Sequence, residues 1–562
     1  MHLCLDLREP ASQTLQVSMR WTPSNPRLTW QLPVWTPGSY TVRDPSQHLH
    51  SLSLHQGDRR LHPTRLSPSR WSIDLQSLEA VCLRYRIEAR QLTVRTCHLD
   101  PEFASLCLSA VAMEVGGFRW EPHTLEILHP DAWRAFVPLP TRNGRWVADD
   151  FDQLVDSPVH AGDLNEIPFQ VNGCRHSLLL IGSPPMDWPR SLVDDIEAVC
   201  AAACTLMGGD PPAGNRYQLV IQMLDQGYGG LEHDHGAVLQ FSWPLLAKAD
   251  GYRQLLQLVG HEYLHQWNVR RLRPKEYVPY DHGRPVISDG LWFAEGITSY
   301  FDLALPLLAG QSDRTTLLSD LAKDLSHVLL NPGRTIQSLA DSSREAWVRL
   351  YKSTPAGAQT QISYYKLGTA LAFCLDVELR AAGSSLASVL RELWTRFGPN
   401  RRGYGRSDIQ DIIRETNAGL ADRLNHWLDE TDSLPIEACV RQLGLSLVPV
   451  PGQMDSTGLT LLDSSRGVVI KQVSDGSPGQ RAQLVAGDEL VAVRGHRLYS
   501  ADQWPSLIKG ESTMSITYAR RGRLEETRLI QMPPEHKALT LEWNPQASDH
   551  DKTLRDQWFE IL

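Results

Sequence analysis

Residues 255–268 read LLQLVGHEYLHQWN, and inside them His261-Glu262-Tyr263-Leu264-His265 forms an HExxH pattern. Leu255, Leu258, Val259 and Leu264 recur at helical spacing, so the stretch predicts a helix with a core face. Residues four apart lie one above the other on such a helix. His261 and His265 can therefore reach one ion together, at about 2.0–2.1 Å for zinc. Glu262 is displaced around the helix and is placed to hold a water rather than the metal. The pentapeptide alone also arises by chance, and this chain has 20 histidines. A catalytic zinc needs a third protein ligand and an open position. LWFAEGITSYF (residues 291–301) supplies Glu295 in an apolar helical run, where a carboxylate is costly unless paired or metal-bound. The expected site is one zinc ion held by His261, His265 and Glu295, with Glu262 activating water.

The helix around this motif is expected to run through residues 250–273 and to stop at Pro274. Upstream, residues 1–165 alternate in short runs (TLQVSMRW, LTWQLPVW, VCLRYRIEAR, QLTVRT, HTLEILH) punctuated by Pro, Gly, Asn and Asp, which suggests a β-sandwich-like domain. Residues 166–445 mix a helix (SLVDDIEAVCAAACTLM), a strand (RYQLVIQML) and, from about 291, helices that dominate. Strands return in GVVIKQV, DELVAVRG, SITYARRG and ETRLIQM, which reads as a small β-rich module over 446–535. The polar tail, 536–562, has no evident assignment. The fold expected is multidomain α+β.

HExxH followed by W-x-x-E-G on a second helix resembles the gluzincin metallopeptidases. PVWTPGSYTVRD (33–44), RQLTVRTCHLD (90–100), GGLEH (229–233), HExxHQWN, WFAEGITSY and ISYYKLG (362–368) in that order resemble the glycyl aminopeptidase family. The resemblance covers nearly the whole chain. It implies an N-terminal β domain, a thermolysin-like zinc catalytic domain and a C-terminal PDZ domain. It also implies aminopeptidase activity with a preference for small N-terminal residues such as glycine or alanine. Residues 467–495 resemble a bacterial-type PDZ domain, a fold that can add a peptide strand to its edge and hold a terminal carboxylate on loop amides. Gly458 and Leu459 are the expected amide loop for a C-terminal peptide. Gln483 stands where such domains usually have a helix-ending glycine.

Gly229 and Gly230 allow close backbone approach, so an extended peptide could pair along that edge. Glu232 could then bind a substrate α-ammonium. The element resembles the G-x-M-E-N of aminopeptidase N relatives; a glycine turn carrying a surface acid is the plain alternative. An oxyanion donor is implied at Tyr365, by register with Gly368, or at Tyr364. The pattern departs there, with Leu367 where lysine is usual and Lys366 before it. The acid often found four residues after the third ligand is replaced by Ser299, with Asp302 as another support for the ligands. His233, His235 and His282 read as pocket residues rather than ligands.

Composition excludes several classes. With 562 residues, 42% hydrophobic and 21% charged, the chain reads as several globular domains. A net charge of −10 without a basic block argues against nucleic acid. No run of about 18 apolar residues suggests a membrane span. The start, MHLCLDLREPASQ, lacks the charge and apolar pattern of a secretory signal. Nine scattered cysteines, with Cys200 and Cys204 on a helical small-residue face, fit a reducing cytoplasm. Two further readings remain: an endopeptidase or oligopeptidase with PDZ-guided capture, and a non-catalytic PDZ scaffold for peptides.

Overall fold

The computed structural model describes residues 1–352, 354, 356–450, 457–532 and 538–561, which form two compact units. The first holds Met1–Asp313 and Ser385–Glu415; the second holds Arg314–Ser384 and Thr416–Glu560. The architecture is multidomain α+β, β-rich at the N-terminus and helical further on.

In the first unit an eight-stranded sheet is built around TLQVSMRW. Leu15, Val17, Met19 and Trp21 point into the core and lie opposite Ile87, Tyr85, Leu83 and Val81 of Val81–Glu88. Period-two alternation is the cause, since one face of this antiparallel pair is buried. Two smaller four-stranded sheets complete the N-terminal part. Two expected strands fall short. LTWQLPVW is a strand only over Arg27–Gln31, because Pro33 has no N–H to donate to a ladder. QLTVRT is a loop leading to the strand Cys97–Leu99, its turn closed by the Thr93 and Thr96 hydroxyls 2.8 Å apart.

A five-stranded mixed sheet follows, with Arg216–Leu224 at its centre between the parallel strands Cys174–Ile181 and Gly236–Ser242. Tyr217 to Met223 are all buried, as a strand covered on both faces requires. Tyr228–His233 is one of its two edge strands, paired among the described residues only with Gly236–Ser242. Helix Gly251–Leu264 packs on this hairpin and on helices Leu192–Met207 and Ile297–Leu308. It ends at Leu264, well before Pro274. The chain turns at His265–Asn268, where Gln266, Trp267 and Asn268 donate back to Tyr263 and Leu264 carbonyls.

The second unit has helices Arg314–Leu329, Leu339–Arg344, Tyr364–Ala381, Ala418–Asp429, Ile436–Gln442 and Asp549–Glu560. A six-stranded sheet spans Leu459–Ile530, and Leu445–Val450 pairs with Ala538–Trp543. Val468, Ile470, Leu490, Val493, Ile516 and Leu529 form the core of that sheet. The expected boundary at 535 and the stretch 451–456 lie outside the described residues. Among the described residues no helix is long and apolar enough to cross a membrane.

Past the edge strand, Asp234 anchors the first unit's functional region. Its carboxylate bonds Arg270 Nε at 2.9 Å and pairs with Arg401, and its carbonyl accepts from Arg271 Nη2 at 2.9 Å. Asp156 takes the Asp234 N–H at 2.8 Å and Arg270 Nη2 at 2.8 Å. Burial would raise the Asp234 carboxyl, but the surrounding guanidiniums, Arg270 foremost, hold it well below the usual carboxylate range. Removing one partner of such a network leaves a buried charge uncompensated. Asp234→Ala is expected to cost about 3–5 kcal/mol in urea unfolding near neutral pH. Because the folded group titrates low, the gap to wild type is full above the unfolded carboxylate range and narrows as pH falls below it.

Candidate functional site

The helix Gly251–Leu264 buries Leu255, Leu256, Leu258 and Val259, which turns His261 and Glu262 toward the strand hairpin and Ile297–Leu308. Glu295 comes from one turn of π-helix, Trp292–Gly296, that leads into Ile297–Leu308. Such turns re-aim a side chain relative to a regular helix. Glu295 is 2% exposed.

His261 Nε2 and His265 Nε2 lie 3.0 Å apart, and Glu295 Oε2 is 3.5 Å from the first and 3.3 Å from the second. Each ring is fixed by its far nitrogen. His261 Nδ1 donates to Asp302 Oδ2 at 2.7 Å, and His265 Nδ1 donates to the Asn268 carbonyl at 2.6 Å. Both partners only accept, so each Nδ1 carries a proton. In the neutral rings the Nε2 lone pairs then face one another and a carboxylate oxygen. That arrangement is repulsive unless positive charge lies among the three atoms. Two imidazole nitrogens and one carboxylate oxygen are a donor set suited to a catalytic zinc, so these residues could hold one. Burial opposes charge on Glu295, yet the rings of His265 and His261, once they carry the positive charge themselves, outweigh it and hold the carboxyl low.

Glu262 is buried, and burial pushes its carboxyl up against the pull of His261 and His265. Gly230 lies directly against it: a Cβ there would fall 2.3 Å from Glu262 Oε1. Glu232, two residues along the strand, is also buried, and its carboxylate approaches Glu262 and His265 within 4.8 Å. Glu232 Oε1 and Glu262 Oε2 are sealed from solvent with no hydrogen-bond partner. The N-terminal motifs reach this place. A Cβ on Gly38, whose φ is +82°, would lie 2.4 Å from Glu232 Oε2, and Arg95 Nη2 donates to the Gly230 carbonyl at 3.0 Å. Gly38 and Arg95 lie within motifs whose order resembles the family, but their spacing carries no signal of this contact. Asn268 stood in plain view beside HExxHQW, without a periodic pattern to single it out.

The remaining expected residues fall as follows. Asp302, one turn beyond Ser299, supports His261. His233 bonds Asp156 at 3.1 Å and His282 bonds Asp152 at 3.3 Å, and neither belongs to the ligand cluster, nor does His235. Tyr364 and Tyr365 open the second unit's helix Tyr364–Ala381, stacked at 4.7 Å, with Tyr351 Oη 3.0 and 3.1 Å from their hydroxyls. Lys366 pairs with Asp324 at 2.6 Å. Gly458 has φ +68° and packs on Ser477, its carbonyl taking the Ser474 N–H at 2.8 Å, and Leu459 starts the next strand. Gln483 adopts φ +62°, the left-handed conformation that a glycine would take at this turn.

Two family models match: the Peptidase M61 N-terminal domain over residues 2–163, and M61 glycyl aminopeptidase over 254–371. A crystal structure described as an aminopeptidase N family protein from Idiomarina loihiensis is 26% identical, covers 99% of both chains and superposes with a TM-score of 0.91. The M1 zinc metallopeptidase of Deinococcus radiodurans is 13% identical over 76% of this chain and 93% of that one, with a TM-score of 0.47. Yeast LTA4 hydrolase in complex with bestatin is 14% identical over 79% and 70%, with a TM-score of 0.48. No curated protein matches. The protein is a zinc metallopeptidase.

A side chain at 230 must push the Glu262 carboxylate aside, and that carboxylate is the mobile end of the pair. Gly230→Ala is therefore expected to fold and keep its metal, while peptidase turnover falls about a hundredfold, the scale of a misplacement near 1 Å. Metal analysis beside kcat checks both halves.

Proposed function

We propose that the protein is an aminopeptidase that releases small N-terminal residues such as glycine or alanine, with one zinc ion held by His261, His265 and Glu295. Glu232 carries the aminopeptidase reading: a carboxylate 3% exposed, with an unpartnered oxygen, a few ångströms from Glu262 and His265. Such a group is costly to bury alone. The α-ammonium of a peptide supplies the missing charge through charge-assisted hydrogen bonds.

Anchored there, the peptide runs along the open edge of Tyr228–His233, with Gly229 and Gly230 letting its backbone come close. Its first carbonyl is thereby brought to the metal ligands. A bound zinc ion supplies Lewis-acid polarisation of that carbonyl and a lowered pKa for water. Glu262 takes the proton of the attacking water and hands it to the leaving amine. Its burial, which favours the protonated form, supports this exchange. The family resemblance assigns the oxyanion hydrogen bond to Tyr365 or Tyr364. The close approach of Gly38 to the Glu232 carboxylate supports small first residues.

For residues 446–535 we retain the PDZ-like reading, in which Gly458 and Leu459 meet a peptide carboxylate. The edge position of Leu459–Ser464 in its sheet supports strand addition there. Nine free thiols support a reducing, cytoplasmic setting.

Glu262→Gln is expected to keep zinc and lose about a hundredfold or more in kcat, the scale of a missing general base. Zinc content and turnover of a glycyl or alanyl substrate check it; near-normal rates would remove Glu262 from that role. Glu232→Ala should lower kcat/KM for free-amine peptides roughly ten- to a hundredfold, the equivalent of a charged hydrogen bond. An N-acetylated peptide should already be a poor substrate of the unaltered enzyme. Internal cleavage of that peptide at the free-amine rate, indifferent to Glu232→Ala, would make the enzyme an endopeptidase instead.

A further inference from the structure

Asn268 is fully buried and joins the two segments that bear the proposed ligands. Its backbone carbonyl accepts the His265 Nδ1 proton at 2.6 Å. Its side-chain Nδ2 lies 2.9 Å from the Phe293 carbonyl, 3.2 Å from the Ala294 carbonyl and 3.2 Å from Thr298 Oγ1. Thr298 Oγ1 itself donates to the Ala294 carbonyl at 2.8 Å. The three groups facing Nδ2 all offer oxygen lone pairs, so the amide nitrogen belongs on that side. Phe293 and Ala294 immediately precede Glu295 in the π-helical turn. Asn268 Nδ2 thus bonds two carbonyls of that turn.

One residue therefore sets the ring of His265 through its main chain and the height of Glu295 through its side chain. We propose that Asn268 is a positioning residue, a strut that fixes the His265–Glu295 separation and so the zinc affinity of the site. The inference rests on His261, His265 and Glu295 being the ligands. Residues that orient metal ligands typically change affinity about 10–100-fold when altered. Asn268→Ala removes only the side-chain arm and leaves the carbonyl that meets His265. Asn268→Asp keeps the shape but turns an acceptor toward three oxygens, so its effect should be larger.

The test measures zinc dissociation constants by chelator competition for the full chain, wild type and both variants, with thermal melting of the metal-free proteins. The visible spectrum of the cobalt-substituted forms reports ligand geometry. Expected are metal-free variants that fold like wild type, zinc held about tenfold or more weakly by Asn268→Ala, weaker still by Asn268→Asp, and a shifted cobalt spectrum. Wild-type affinity and an unchanged spectrum would overturn the proposal. So would variants that fail to fold without metal, because Asn268 would then serve the fold rather than the site. A wild-type protein that binds no zinc would instead refute the ligand assignment itself.

Discussion

Two imidazole nitrogens held 3.0 Å apart beside a buried carboxylate are the constraint on which the surrounding structure depends. Left to themselves, three groups rich in lone pairs separate. Here each is fixed from behind: His261 by Asp302, His265 by the Asn268 carbonyl, Glu295 by the π-helical turn. The packing of Gly251–Leu264 against its sheet hairpin and against Ile297–Leu308 brings these three groups together. Preorganisation of this kind places the cost in folding rather than at the moment of reaction.

Around that centre the places of the Glu262 and Glu232 carboxylates are opened by glycines. Gly230 admits the Glu262 carboxylate and Gly38 admits that of Glu232, and the two contacts come from parts of the chain nearly two hundred residues apart. Arg95 adds a third element by bonding the Gly230 carbonyl of the edge strand. The N-terminal β part thus supplies part of the wall of the site as well as a core of its own. Asp234 and its guanidinium partners hold the end of the same strand against the segment that follows His265.

Much of this was legible in the chain. Alternation in TLQVSMRW and VCLRYRIEAR gave strands whose ends match closely, and the four-residue spacing of His261 and His265 put them on one helical face. Other features were not legible, for physical reasons. QLTVRT alternates like a strand but is tied into a turn by threonine hydroxyls. The helix bearing HExxH ends well before the Pro274 stop that the sequence predicts, because nothing in NVRRLR disfavours helix; the chain turns at His265–Asn268, and beyond the turn Arg271 and Lys275 bond Asp234 and Tyr404 instead. The helix at Asp549–Glu560 is not legible either, because a polar sequence with few apolar residues offers little periodicity. Gly38, Arg95 and Asn268 act through contacts distant in sequence or through backbone atoms, which residue type does not reveal.

The choice of ligands is the central claim, since a second cluster, Glu232, Glu262 and His265, also brings three donors within 4.8 Å. X-ray absorption at the zinc edge of the loaded protein separates the two. The account predicts two imidazole nitrogens and one carboxylate at about 2.0–2.2 Å. A spectrum with one imidazole and two carboxylates would place the metal on Glu232 and Glu262, and would leave neither of them free to bind an amine or move a proton.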